Sequence, residues 1–390
     1  MAWFGLVRLG GVLREPTLAL WAMCMLLMPL YAWRSGRPQP ADLVSLLFIP
    51  LLREATINAV PRYLRQVLSA LVTFAGYAAV VNLIWGVLLL DYDVRKVGAL
   101  GFASFYLFNA YMFALCIYLF AAFRMRFVAV TIWSTAIAVG LQVLLYAIRG
   151  PSTGFRETLL FNNANQLGYY ALLSATLIAF GFRAARMPVI VAGAAVASCV
   201  FLAALSLSKA AMMGTVIVAA VGAIRRPMLL AVVALVLVAG ASLRDPTNLF
   251  DRVQRRIDDM GSSYDDTPEG RGYSRIPENP QYLVLGAGEV GFDRHNRDIA
   301  GELHSSVGTL IFSYGVIGTV FFSMFLWRAL RPVRRLDLLF FVPILAYGTT
   351  HQGLRFRLFW ILVAIACLIS MEARASEARR RGGRPMPITA

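Results

Sequence analysis

Apolar stretches of bilayer length follow one another along almost the whole of this 390-residue chain, and one polar segment, 244–303, interrupts them. That alternation constrains the fold more than any motif does. Crossing a hydrocarbon core about 30 Å thick takes about 17–25 apolar residues in helical form. Lipid offers no partner to backbone N–H and C=O groups, so each crossing has to satisfy its own hydrogen bonds. Candidate spans fall at 16–33, 42–60, 66–90, 98–123, 127–148, 165–182, 187–207, 209–224, 227–243, 305–327, 337–350 and 355–372, about twelve in all. Arg53 interrupts the second, which reads as weak or re-entrant. The expected fold is an all-α integral membrane protein with eleven or twelve transmembrane helices and one long extracytoplasmic loop containing short helices. Its parts are N-terminal transmembrane helices in 1–243, the loop 244–303, C-terminal transmembrane helices in 304–372 and a basic tail 373–390, together one integrated membrane domain.

Composition excludes a soluble globule. Hydrophobic residues make up 59% of the chain and charged residues 15%, where soluble domains carry about 25% charged. Cys24, Cys116, Cys199 and Cys367 all lie inside apolar runs and read as small core residues, not as disulfides or metal ligands. Arg8 and Arg14 precede an apolar run as in a signal peptide, but no small-residue cleavage site follows, so an uncleaved first helix is expected. The net charge of +16 lies mostly in short connections, which is a signature of topology and argues against a nucleic-acid partner.

Alternate connections are basic: Arg62/Arg65, Arg124/Arg126, Arg183/Arg186, Arg225/Arg226, Arg328/Arg331/Arg334/Arg335 and the tail from Arg374. The positive-inside rule then sets both termini in the cytoplasm and the long loop outside. Arg34 and Arg37 dissent. This orientation, made from arginines alone, gathers His295, His304, His351, Lys96, Lys209 and the Asn162–Gln166 cluster on the outer face. The sequence carries no P-loop, which argues against an ATP-driven pump. Gly286-Ala-Gly288-Glu-Val-Gly291 matches a dinucleotide fingerprint, but that motif needs a strand before it and a helix after it in a βαβ unit. Here it reads as a glycine-rich turn closing the loop against the membrane.

Four motifs, in order, resemble the O-antigen ligase and O-antigen polymerase superfamily of bacterial membrane glycosyltransferases. They are Phe161-Asn-Asn163-Ala-Asn165-Gln-Leu-Gly168; Ser206-Leu-Ser208-Lys209-Ala-Ala; Gly270-Arg271-Gly272 with Leu285-Gly-Ala-Gly288-Glu289-Val-Gly291-Phe292; and Glu302-Leu-His304-Ser-Ser306 leading to Tyr314-Gly315-Val-Ile-Gly318. Lys209 stands where the family usually has arginine, and Ser305 follows His304 where asparagine is common. The resemblance implies transfer of a glycan from a polyprenyl (undecaprenyl) diphosphate carrier to an acceptor hydroxyl on the outer face of the bacterial cytoplasmic (inner) membrane. The acceptor is another glycan or lipid A core, the bilayer and other polysaccharide-assembly proteins are the further partners, and no cofactor or metal is implied.

Each candidate residue has two readings. His304 caps a helix or acts as general base, its imidazole having an unperturbed pKa near 6.5. Arg271 is a solvated loop residue or grips a diphosphate through its planar fork. Lys209 snorkels to the interface or faces phosphate. Asn163 and Asn165 cap a helix or line the site, and Arg355 and Arg357 snorkel or contact phosphate or sugar. Glu302 orients His304 or is a solvated acid. The pairs Asp258/Asp259 and Asp265/Asp266 read as solvated rather than metal-binding. A polytopic transporter or lipid-linked glycan flippase is the alternative function, and a scaffold the third.

Overall fold

A computed structural model describes residues 15–89, 98–152, 155–229, 231–235, 246–258, 267–290 and 303–381. Glu302, His295, Lys96, Asp259, Asp265 and Asp266 lie outside the described residues. Among the described residues every element is helical. In chain order these are α1 Pro16–Leu27, α2 Pro40–Leu46, α3 Glu54–Asn58, α4 Arg62–Leu83, α5 Gly98–Phe123, α6 Met125–Arg149, α7 Ala164–Gly181 and α8 Val189–Ser206. They continue with α9 Lys209–Arg225, α10 Pro246–Asp258, α11 Arg275–Glu278, α12 Ser306–Ser313, α13 Gly315–Leu330, α14 Val342–Thr350 and α15 Arg357–Arg380. The long polar segment therefore does contain short helices, α10 and α11.

Among the described residues five helical stretches are long and apolar enough to cross a membrane: Arg62–Val87, Gly101–Phe123, Met125–Arg149, Val189–Ser206 and Arg357–Arg380. Four shorter apolar ones accompany them: Pro16–Leu27, Pro40–Leu51, Lys209–Ile224 and Gly315–Leu330. This is the build of a helical membrane protein, with fewer continuous long helices than the about twelve apolar runs in the sequence. Among the described residues two of those runs, 42–60 and 305–327, are broken, with partners from elsewhere in the chain at the breaks.

The run 42–60 becomes α2, a 3-10 turn at Ile49–Leu51 and α3. Pro50 and Pro61 remove backbone donors there. Tyrosines of α5 satisfy what the breaks release. The Tyr111 hydroxyl donates to Ser45 O at 2.6 Å, and the Tyr118 hydroxyl donates to Leu51 O at 3.0 Å and accepts from Arg53 N at 2.9 Å. The segment thus runs along α5 as a broken helix, its backbone groups paired as an apolar surrounding demands.

The run 305–327 breaks between α12 and α13, where Gly315 has φ +63°. Loop residues fill the break: Ala287 N donates to Phe312 O at 2.9 Å, Gly288 N to Ser313 O at 2.8 Å, and Val316 N to Leu283 O at 2.7 Å. Gly286 has φ +91°, and a Cβ there would lie 2.3 Å from Ser313 O. The glycine motif is a turn that seals the loop onto the α12–α13 break.

Two helices form the centre. α7 is buried along nearly its whole length and packs against α8, α9 and α15; α15 is buried from Arg357 to Leu368 and packs against α5, α7 and α13. A helix apolar on all sides belongs in the middle of a bundle. Both α5 and α15 run from one end of the bundle to the other. At the far end Arg124 pairs with Glu372 at 2.5 Å, Arg334 with Glu377, and Arg374 donates to Arg331 O at 3.0 Å. The Tyr63 hydroxyl donates to Arg328 O there as well. Four of the basic connections read from the sequence thus share one end, and the opposite end holds a cavity.

Candidate functional site

The cavity has a volume of about 1170 Å³ and is walled by the 31–42 turn, the α6–α7 and α8–α9 connections, the start of α12, the α14–α15 connection and one face of α5. Of the residues singled out from the sequence, His304, Arg271, Lys209, Asn163, Asn165 and Arg355 all line it, and so do His351 and Arg357. The dissenting Arg37 lines it too, because Gln39 folds the 33–39 turn inward. The Gln39 side chain accepts from Trp33 N at 3.2 Å and donates to Trp33 O and Arg37 O, each at 3.0 Å.

His304 is exposed and stands one residue before the cap of α12. Its N–H donates to Arg271 O at 3.2 Å, which sets the two residues side by side in the backbone. The cap itself is Ser305, whose Oγ accepts from Gly308 N and donates to Gly348 O, both at 3.0 Å, and meets the Tyr273 hydroxyl at 2.6 Å. Ser306 Oγ donates to His351 O at 3.1 Å and accepts from Gly353 N at 2.7 Å. The capping role considered for His304 thus falls to Ser305, and the Ser-Ser pair rivets the loop, α12 and the 348–353 turn together. That joint brings Arg271, His304, His351 and Arg355 to one cavity.

The half-buried Arg271 guanidinium donates to Thr350 O. Lys209 is the first residue of α9, after Leu207 turns the chain at φ +49°. Lys209 therefore adds a charge at the positive end of the helix dipole. Asn163 is the N-cap of α7, its side chain accepting from Gln166 N at 2.9 Å. Asn165 Oδ1 accepts from Arg156 at 2.5 Å, and Arg156 Nε also donates to Ser206 O at 2.8 Å.

Arg355 lines the cavity with its charge already matched. Its Nε donates to Glu289 Oε2 at 3.1 Å, and its guanidinium sits 4.5 Å from the Phe102 ring centroid. Glu289 is buried, accepts from the Tyr106 hydroxyl at 2.8 Å and from the Tyr314 hydroxyl, and donates its N–H to Asn82 Oδ1 at 2.7 Å. A buried ion pair whose remaining positions are hydrogen-bonded is an anchor; it ties the loop's glycine turn to α4, α5, α13 and the α14–α15 connection. Arg357 is likewise paired with Asp42 and faces Tyr31 at 6.0 Å.

Sequence reading missed Arg156, Arg256 and Glu289. Glu157 neighbours Arg156 in the chain, yet its carboxylate accepts from Ser152 N at 2.7 Å and does not line the cavity. Burial lowers the Arg156 pKa from the usual arginine range, and the nearby Arg256 charge lowers it further. Arg256 comes from α10, whose Arg252 and Arg256 sit four residues apart on one helical face. That spacing was the available signal. An aromatic column completes the wall: Tyr169 stacks on Tyr347 at 4.3 Å, and Tyr347 on His351 at 4.6 Å.

Among the described residues no group of three His, Cys, Asp or Glu side chains is placed to hold a metal ion. Asp258 accepts from Gln254 Nε2 at 2.9 Å. Comparison with family models and with curated proteins finds no match for this chain.

Proposed function

We propose that the protein is a membrane glycosyltransferase that moves a glycan from a polyprenyl diphosphate carrier to an acceptor hydroxyl. The observation that carries this reading is the meeting of His304, Arg271 and Lys209 in one cavity whose α5 wall offers Phe102, Phe105 and Phe108. A cationic pocket with an apolar flank suits a ligand that is a diphosphate at one end and a hydrocarbon at the other.

In the proposed reaction the acceptor oxygen attacks the anomeric carbon of the donor sugar. The bond from that carbon to the diphosphate oxygen breaks, and the diphosphate leaves with the electron pair. The His304 imidazole takes the acceptor proton, a role worth about 10²–10⁴-fold in rate. Arg271 and Lys209 stabilise the negative charge that grows on the leaving group, the term that dominates such reactions when the donors are preorganised. Asn165 holds Arg156 at the same wall, and Arg355, fixed by Glu289, shapes the cavity with a charge already balanced. The proposed setting is the bacterial cytoplasmic membrane, with the cavity outward and the arginine-rich end in the cytoplasm, as the positive-inside rule asks. Chain extension and ligation to a lipid acceptor are both forms of this chemistry.

The test is purified protein supplied with a lipid-linked oligosaccharide. A ladder of longer glycans marks a polymerase, and one discrete shift on a second acceptor marks a ligase. Absence of any new glycosidic product with either acceptor class contradicts the reading. Sidedness is checked by single cysteines at Ser262 and Arg226 in a Cys-free background, which should label with an impermeant maleimide from outside and inside respectively.

A further inference from the structure

Among the described residues three arginines of the cavity wall, Arg37, Arg156 and Arg256, have no carboxylate partner. Among the described residues the lining carries Arg37, Arg156, Lys209, Arg256, Arg271, Arg355 and Arg357 against a single carboxylate, Asp42. Asp42 matches Arg357, and the buried Glu289 behind the wall matches Arg355. A sugar–diphosphate–lipid bears one negative charge on each phosphorus, which Lys209 and Arg271 balance in the proposed reaction. Arg37, Arg156 and Arg256 remain. Arg156 donates only to neutral oxygens, those of Ser206 and Asn165. Arg256 makes no hydrogen bond to the described residues, and its Nε is buried without a partner. Arg156 and Arg256 are half-buried, while Arg37 is exposed; the two half-buried like charges repel one another and lose hydration, a cost that an anion arriving between them removes.

We propose that Arg37, Arg156 and Arg256 form an anion subsite for the glycan itself, so that the substrates are acidic: the sugar unit seated there carries a carboxylate or a phosphate. The inference rests on the transferase reading for assigning Lys209 and Arg271 to the diphosphate, but not for the lack of an acidic partner at Arg156 and Arg256. Guanidinium is the suitable group, since its planar fork takes two oxygens of one oxyanion at once. The position fits a sugar. Arg156 is held by Asn165 in the first turn of α7, and Arg256 reaches in from α10 of the long polar segment.

The experiment measures binding to the full purified chain in lipid nanodiscs. The probes are trigalacturonate against its fully methyl-esterified form, phosphorylated maltotriose against maltotriose, and farnesyl diphosphate as a probe of the Lys209–Arg271 grip. At least one acidic probe is expected to bind about tenfold or more tightly than its neutral counterpart, the scale of a charge-assisted hydrogen bond; which of the two prevails assigns carboxylate or phosphate. Arg256→Gln should lose most of that preference, Arg37→Gln part of it, and both should keep the farnesyl diphosphate affinity. Arg256→Gln carries the test because no hydrogen bond to the described residues depends on its side chain, whereas Arg156→Gln also loses the bonds to Asn165 and Ser206. The inference is overturned if neither acidic probe is preferred or if Arg256→Gln leaves the preference intact. It is equally overturned if Arg256→Gln weakens farnesyl diphosphate by the same factor, which would return the residue to the diphosphate grip. Failure of farnesyl diphosphate to bind the wild-type chain, with the acidic preference present, would remove the transferase reading and leave the anion subsite standing.

Discussion

Arginine does two different jobs at the two ends of this bundle. At the end away from the cavity, Arg124, Arg334 and Arg379 pair with glutamates of α15 while more than half of each side chain stays in solvent, 53%, 63% and 64%. At the cavity end, Arg355 and Arg357 are 18% and 10% exposed, and Glu289 is 2% exposed. Solvent screens the first set, so each pair contributes little to stability. The second set stands in low dielectric, where an unmatched charge is costly and a matched one fixes geometry. The same side chain thus forms exposed, screened pairs at one end and buried, geometry-fixing pairs at the other. Only burial and partners tell them apart.

The largest effect is expected at the buried anchor. Glu289→Ala removes the buried carboxylate from Arg355, and unfolding in mixed detergent micelles should show a loss of about 3–5 kcal/mol. A cost below 1 kcal/mol would mean that solvent reaches the pair and the contrast between the ends is false. Next comes the diphosphate grip. Arg271→Ala should weaken donor use by about 2–5 kcal/mol, read as the catalytic efficiency with a lipid-linked oligosaccharide. Lys209→Arg should retain activity, and Arg271→Lys should lose it with the fork. Turnover unchanged by chelators is expected as well, because in the proposed reaction these cations balance the leaving group.

A smaller loss is expected at the seal between loop and helices. Gly286→Ala meets a carbonyl at 2.3 Å from a left-handed backbone, so overpacking should cost about 1–3 kcal/mol of stability. The smallest effect belongs to the far end. Arg334→Ala should change stability by about 0–1 kcal/mol in the same micelle assay, and less at high salt. A loss as large as that of Glu289→Ala would erase the distinction between the two ends.

The sequence made the long helices legible where the chain is apolar throughout. The run 98–123 is α5, and 165–182 is α7 within one residue at each end. It also marked the residues that meet in the cavity, through short polar motifs at helix mouths. The breaks were illegible, because hydropathy does not report which backbone groups find distant partners. Tyr111 and Tyr118 make the broken 42–60 run tolerable, and the loop's Leu283–Gly288 stretch does the same for the α12–α13 break. Asn163 could cap or line, and it does both. Arg156 and Arg256 come together only when α10 docks on the α6–α7 connection, where Arg252 donates to Phe155 O. A neighbouring acid in the sequence, Glu157, made Arg156 look balanced when its charge faces the cavity.

The central claim is that the cavity end performs chemistry while the arginine-rich end orients the chain. Its most direct test compares His304→Ala with the wild-type chain in nanodiscs, following both binding of a lipid-linked oligosaccharide and release of polyprenyl diphosphate. The account predicts donor binding within about twofold of wild type and release slowed by about 10²–10⁴-fold. Release at the wild-type rate, with product glycan still formed, would contradict it.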